Sequence, residues 1–289
     1  MTSHRRAPLS GIPLTALGVA MIRARESARE DRLYDDPYAA AFADAAREAF
    51  LDPNAPDEAA TRWAQVERLV DQFYEGRTLG VRAVDDRVHA WVDAGGKQLV
   101  MLGAGLDTRA YRMGLPAALR WFELDLPEIF RLKEPVLNSV GAVPTCDRRV
   151  VAVDLRTDWA PALLAAGYDP DLPAAWVDEG VIPYLSRDEA TEVVATITRL
   201  SAPGSEFGTV SVNVDESQKR YRDLKRLVAT GSDDRPTVRG LGPQAQDWLE
   251  RNGWRTEFRA WDESVKPYGR AATITGDPSS GAIHAVRRD

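Results

Sequence analysis

The stretch Gln98 to Thr108, QLVMLGAGLDT, constrains this chain most: an apolar run breaks into Gly-Ala-Gly, and about 20 residues after the second glycine comes the acidic strand end FELD. A buried strand, a tight turn into a helix and an acid at the tip of the next strand are the sequence form of a nucleoside cofactor site in an open α/β sheet. Gly103 and Gly105 let the backbone turn sharply and approach a ligand with no Cβ in the way. Asp125, at the end of the following strand, is placed to accept hydrogen bonds from the ribose hydroxyls.

The residues after the glycines select among nucleoside cofactors. A dinucleotide loop wants a third glycine where its helix begins, and presents backbone N–H groups there to a pyrophosphate. Here that position is Thr108, preceded by Asp107. A carboxylate beside a pyrophosphate is repulsive, whereas S-adenosylmethionine has no phosphate and carries a positive sulfonium. The expected cofactor is therefore S-adenosylmethionine, and a nicotinamide-dependent reductase is the disfavoured alternative.

Composition narrows the partners. The chain has 289 residues, 44% of them hydrophobic, enough for a full core in a globular protein. A net charge of −7 gives no general attraction to nucleic acid or to an anionic membrane. Cys146 is the single cysteine and His4, His89 and His284 are scattered, so neither a disulfide nor a metal cluster is expected. Arg5-Arg6 ahead of an apolar stretch resembles an export signal. However, Leu14, Leu17 and Met21 recur at helical spacing from Pro13 and run into RARESARED, which suits a cytosolic amphipathic helix. No run of about 18 apolar residues calls for a membrane span. The expected location is the cytoplasm, and the oligomeric state stays open.

Helical periodicity dominates from Pro13 to Asp93. Trp63, Val66, Val70 and Phe73 form one stripe and Val81, Val84, Val88 and Trp91 another, with Gly76 and Gly95-Gly96 as expected stops. This predicts an N-terminal helical cap over residues 1–96, of about four helices, with a loop from Asp52 to Asp57. From residue 97 to 289 the pattern becomes strand and helix in alternation. Strands are predicted at Gln98–Leu102, Arg120–Leu124, Arg149–Val153, Ala174–Asp178, Phe207–Val214, Thr256–Trp261 and Ala282–Val286. Short buried runs of this kind argue for an α/β fold with a mostly parallel sheet covered on both faces. Ser186 and Glu189 form a capping box for the helix after the fourth strand. The charged segment 218–243 reads as a solvated loop, or as a lid-like insertion over the carboxyl edge of the sheet.

Five separated motifs together resemble the leucine carboxyl methyltransferase family, in particular its bacterial branch of S-adenosylmethionine-dependent O-methyltransferases linked to polyketide and other secondary metabolism. They are TALGVAMIRARESARED with RLYDDPYAAAFA, then VRAVDD, LGAGLDTRAYR, FELDLPEI, and DLRTDW with AAWVDEGVIPYL. The likeness runs from Thr15 to Asn213 and weakens afterwards. It implies a class I methyltransferase: a Rossmann-like, seven-stranded sheet with the last strand antiparallel, under an N-terminal helical cover.

Carried over motif by motif, the resemblance implies a set of cofactor-binding residues. Arg82 in VRAVDD looks like the arginine that grips the cofactor carboxylate, and Arg25 in RARES aligns less securely with a basic residue reaching the same group. Arg82→Ala is accordingly expected to weaken cofactor binding more than Arg25→Ala. Gly103, Ala104 and Gly105 would line the methionyl and ribose portion, with Asp125 and the adjacent Leu126 at the ribose. Asp154 and the Leu155 backbone resemble the pair that reads the adenine edge. Glu179 falls beside the methionyl end, with Asp178 its neighbour, and Tyr184 corresponds to a position near the methyl acceptor. The family commonly shows Arg-Thr-Arg before the Asp-Asp; Gly80-Val81 replace its first two residues here. Many relatives have glutamine at Leu126, and an acid near Asn213 that FGTVSVN lacks.

Methyl transfer from a sulfonium is an in-line displacement. A carboxylate acceptor is already ionised at neutral pH, whereas a phenol or alcohol needs a base within reach. The chain offers His89, Glu179 and Asp178 as candidate bases and no convincing catalytic histidine or cysteine. The expected reaction is methyl ester formation on a small-molecule carboxylate. The alternatives are a hydroxyl O-methyltransferase, or a non-methylating S-adenosylmethionine-binding protein such as a cyclase or sensor.

Overall fold

Leu99 and Met101 turn to one face of the first strand and Val100 and Leu102 to the other, and all four are buried. A strand apolar on both sides must lie inside a sheet covered on both faces. The computed structural model, which describes residues 12–211, 240–270 and 278–289, has that arrangement. The strands are β1 (Gln98–Leu102), β2 (Arg120–Asp125), β3 (Asp147–Ala152), β4 (Ala175–Asp178), β5 (Glu206–Ser211), β6 (Trp254–Ala260) and β7 (Gly281–Arg287). They form one seven-stranded sheet in the order β3-β2-β1-β4-β5-β7-β6, parallel except for β7, which runs antiparallel to both neighbours. All seven predicted strands are present; residues 212–214 of the fifth lie outside the described residues. Strand order reverses between β1 and β4, so the carboxyl ends of these two strands flank the crevice where open sheets bind ligands.

Three helices precede the sheet: α1 (Ile12–Ser27), α2 (Ala39–Phe50) and α3 (Ala59–Asp93). The predicted stop at Gly76 does not occur, and α3 runs through it for 35 residues. A helical glycine costs only about 1 kcal/mol relative to alanine. Tyr74, Thr78, Leu79 and Val81 stay buried on either side of it, and this packing outweighs that cost. The stop at Gly95-Gly96 does hold: Gly95 adopts φ +90°, its N–H donates to Val92 O, and the Gly96 N–H donates to Trp91 O. These two bonds satisfy the last carbonyls of α3.

The remaining helices among the described residues are α4 (Arg109–Arg112), α5 (Pro127–Ser139), α6 (Ala160–Ala165), α7 (Arg187–Arg199), α8 (Ala245–Arg251) and α9 (Trp261–Val265). The capping box that starts α7 is formed in both directions, between Ser186 and Glu189. Val100, Phe122 and Trp176 pack on Leu163 of α6, Val193 of α7 and Leu249 of α8. On the opposite face Leu99, Met101 and Trp121 pack on Val88 and Trp91 of α3 and Leu137 of α5, in a cluster that also holds Ala20 of α1 and Phe42 of α2. The helical cover thus shares a core with the sheet. The segment 218–243, read above as a loop or a lid, lies outside the described residues up to 239.

Candidate functional site

The site begins with the turn that leaves β1. Gly103 and Gly105 have φ of +59° and +50°, the region that side chains avoid. A Cβ on Gly103 would come within 2.8 Å of Val181 Cβ, so the turn lies against the segment leaving β4. Buried Ala104 between them donates its N–H to Leu124 O, which ties the turn to the end of β2. Asp125 closes the same corner: one carboxylate oxygen accepts from the Gly105 N–H at 2.6 Å and the other from the Leu126 N–H at 2.7 Å. Burial pushes the Asp125 carboxyl above its ordinary value, against the lowering effect of these two N–H groups. Glycine turn and acid are therefore in contact.

Past β3, the Asp154 carboxylate accepts from the Arg156 backbone N–H and from its guanidinium, at 2.6 to 3.1 Å. Those hydrogen bonds hold its carboxyl below the usual carboxylate range. Leu155 beside it is buried. Past β4, Asp178 is committed inward. One oxygen accepts from the N–H groups of Gly180, Val181 and Ile182, and the other from the Thr209 hydroxyl at 2.6 Å. Burial still pushes this carboxyl upward from its ordinary value. Asp178 shapes the turn that carries Glu179, Val181 and, in the short 3₁₀ segment Ile182–Tyr184, the exposed Tyr184.

Beneath the glycine turn lies a charge network that sequence reasoning did not anticipate. Arg109, at the start of α4 and 1% exposed, donates to Asp85 on α3 at 2.6 Å, to Asp107, and to Glu179 at 2.7 Å. Arg112 also donates to Asp85, at 2.7 Å. Alongside, buried Arg23 of α1 donates to Leu106 O and to Asp36, and Asp36 also accepts from the Thr108 hydroxyl at 2.6 Å. Residues 106 to 109 of the cofactor loop are thus clamped to the helical cover by interlocked ion pairs. Burial opposes the charge on Asp107, but Arg109, Arg23 and other cations outweigh it and bring its carboxyl down to about 2. The Asp107 charge is neutralised inside the protein by the clamp.

The two arginines expected at the cofactor carboxylate each pair with an acid of α3. Arg25 is exposed, pairs with Asp71 at 2.7 Å and lies over the Tyr74 ring. Arg82 pairs with Asp86 at 2.8 Å, donates to Leu33 O, and lies 5.7 Å from the centre of the Tyr268 ring. Arg77, one turn earlier on α3, instead reaches the end of β4 and donates to the Glu179 backbone carbonyl at 2.8 Å. No periodicity marks Arg77, Arg109 or Arg23; an arginine lodged among otherwise buried positions of a helix would have been the sole hint.

The donor set suits an adenosyl amino-acid cofactor: a glycine turn with positive φ at both glycines, an acid in contact with it for the ribose, and cationic groups beside Glu179 for an amino-acid end. A mostly parallel sheet with an antiparallel last strand and this corner defines a class I, S-adenosylmethionine-dependent methyltransferase. Residues 16–198 match the leucine carboxyl methyltransferase family, and the chain belongs to it. It is 40% identical over 283 residues, covering 96% of this chain and 95% of the relative, to a Frankia alni protein named "Putative S-adenosyl-L-methionine-dependent methyltransferase". A protein of Streptomyces coelicolor with the same description is 37% identical, with 96% of each chain covered. The fold resembles the crystal structure of a Thermobifida fusca protein described as a "putative methyltransferase", with a TM-score of 0.52, 20% identity, and 84% of this chain and 92% of that one covered. S-adenosylmethionine is accordingly the cofactor of this enzyme. No helix among the described residues is long and apolar enough to cross a membrane.

Proposed function

We propose that the enzyme forms a methyl ester on a carboxylate of a small molecule, in bacterial secondary metabolism. The observation that carries this reading is the state of the two carboxylates at the end of β4. Asp178 has both oxygens taken by four donors, and Glu179 is held by Arg109. Neither is poised to accept a proton from a hydroxyl. Of the histidines among the described residues, His89 is exposed on α3 and His284 pairs with Glu206 on β5. An acceptor that arrives already ionised needs none of these groups as a base.

S-adenosylmethionine supplies an electrophilic methyl group on a sulfonium. The chain's part is to hold the acceptor oxygen in line with it, at about 3 to 3.5 Å, and to exclude competing water. Gly103 and Gly105 fix the backbone under the methionyl portion, Asp125 and Leu126 hold the ribose, and Asp154 with Leu155 reads the adenine edge once Arg156 yields its place. Tyr184, 39% exposed at the rim of β4, orients the acceptor.

Mass spectrometry of the product should show one added methyl that mild alkali removes, since esters hydrolyse and ethers do not. An alkali-stable methyl would move the assignment to a hydroxyl O-methyltransferase. Tyr184→Phe is expected to lower kcat about ten-fold while leaving the Kd for S-adenosylhomocysteine within about two-fold of the parent. A matching loss of cofactor affinity would instead place Tyr184 in the cofactor pocket.

A further inference from the structure

We propose that Trp261 forms an aromatic wall of the acceptor pocket and selects planar aromatic acids, an assignment that rests on the methyl-ester reading above. Strand register brings its indole to the carboxyl edge of the sheet, where open sheets bind ligands. β6 runs parallel to β4 and β5, because β7 is antiparallel to both β5 and β6. Its last residue, Ala260, is level with Gly281 of β7, which is level with Ser211 of β5. Ser211 lies three residues past Gly208, the partner of Val177, and so is level with Gly180 in the turn that leaves β4. Trp261 therefore leaves the sheet at the height of that turn, three strand spacings or roughly 14 Å away from it.

The long helix α3 spans this gap. Trp261 Cη2 stands 4.0 Å from the point where a Cβ on Gly80 would lie, so the half-buried indole is seated on α3 where a side chain is missing. Three residues earlier, and hence on the same face of the helix, Arg77 donates to the Glu179 carbonyl at 2.8 Å. The ends of β4 and β6 thus converge on one turn of α3, and the indole reaches inward over the tips of β5 and β7.

The wall is fixed in place. Beyond Trp261, Val265 is 1% exposed, the Tyr268 hydroxyl donates to Asp86 of α3 at 2.7 Å, and the Arg270 guanidinium donates to fully buried Glu26 of α1 at 2.8 Å. A connection anchored to both α1 and α3 holds the indole in one orientation. A rigid π-face favours flat rings, by offset stacking or edge contact, over puckered rings of the same size. Tyr184 stands at the opposite end of the gap, beside β4. An acid whose carboxylate meets the methyl group there carries its rings toward β6.

Calorimetry of the full chain saturated with S-adenosylhomocysteine tests this, with 2-naphthoate and its saturated counterpart, decahydro-2-naphthoate. The two share charge and carbon skeleton and differ in flatness. The parent enzyme should bind the aromatic acid about five- to ten-fold more tightly. Trp261→Leu should bind the two alike, and Trp261→Phe should keep part of the preference. Gly80→Leu, which places a side chain where the indole is seated, should lower the preference too, and it answers the question if Trp261→Leu does not fold. Trp248→Leu, which removes a tryptophan from α8 on the other face of the sheet, should keep all of it. Each comparison is a ratio within one protein, so partial unfolding does not imitate the result. A Trp261→Leu enzyme that still prefers 2-naphthoate, or a Trp248→Leu enzyme that does not, overturns the proposal. 2-Naphthol and decahydro-2-naphthol separate it from the reading on which it rests. If neither acid binds but the naphthol is preferred by the parent and not by Trp261→Leu, the wall stands and the carboxylate acceptor fails. A parent that discriminates within neither pair overturns the wall itself.

Discussion

Arg109→Met should lower the unfolding free energy by about 3–5 kcal/mol, the largest stability loss expected of any single substitution at the site. Arg109 is 1% exposed and holds three carboxylates, Asp85, Asp107 and Glu179, each contributed by a different segment. Methionine fills similar volume but leaves those acids facing one another with no guanidinium between them, and the nearby cations Arg112, Arg23, Arg77 and Lys133 do not replace it. The loss therefore comes from uncompensated buried charge rather than from a cavity. Urea unfolding of parent and variant measures it, and Arg25→Ala is the control. The Arg25 pair with Asp71 has side chains 51% and 71% exposed, so its removal should change stability by no more than about 0.5 kcal/mol. An Arg109→Met protein as stable as that control would mean that the network is spread too widely for one member to matter.

The same network predicts an acid limit. Asp107 titrates at about 2 in the folded protein against an ordinary value of 3.8, so its contribution is fully present above the ordinary value. The contribution is lost as pH falls toward 2 and the folded state takes up the proton. In Arg109→Met the main cation opposing burial is gone and the Asp107 carboxyl should rise. Acid unfolding of the variant should then begin at higher pH than in the parent, a shift that a purely steric defect would not produce.

What was legible in the sequence follows from the range of the interactions involved. The glycine turn, the Asp125 corner, the Ser186 capping box and the seven strands are set by residues close together in the chain, or by alternation within a single strand. They leave a local pattern. The 35-residue α3 was not legible, because a local breaker, Gly76, was overruled by burial of its neighbours against distant elements. Arg23, Arg77 and Arg109 were missed for the same reason. Arg109 finds Asp85 24 residues back and Glu179 70 residues ahead, and Arg77 reaches the Glu179 carbonyl across 102 residues. Nothing at short range separates such an arginine from an exposed one. Arg25 and Arg82 stand out because they lie in recognisable motifs; in the fold their guanidinium groups pair with Asp71 and Asp86. Asp107 stands out in the sequence as a charge beside the glycine turn, but its pairing with Arg109 depends on the burial of the whole clamp.

Asp125→Ala should weaken binding of S-adenosylhomocysteine by about 2–4 kcal/mol, roughly 30- to 1,000-fold in Kd. Two effects combine. The carboxylate is the acceptor expected to meet the ribose hydroxyls, and it also anchors the glycine turn through the Gly105 N–H at 2.6 Å. Removing it would cost the expected ribose contacts and free the turn proposed to lie under the methionyl portion. Asp125→Asn separates the two: its amide oxygen can still accept from Gly105, so the turn keeps its shape while the charge-assisted bonds to ribose are weakened. The asparagine variant should therefore fall between parent and alanine variant. Acid should weaken the parent in the same direction, because burial raises the Asp125 carboxyl and a protonated group accepts less well. Calorimetry of the three proteins at neutral and mildly acidic pH tests this order. A folded alanine variant with the Kd of the parent would remove Asp125 from the cofactor site and leave it as a backbone anchor for Gly105 alone.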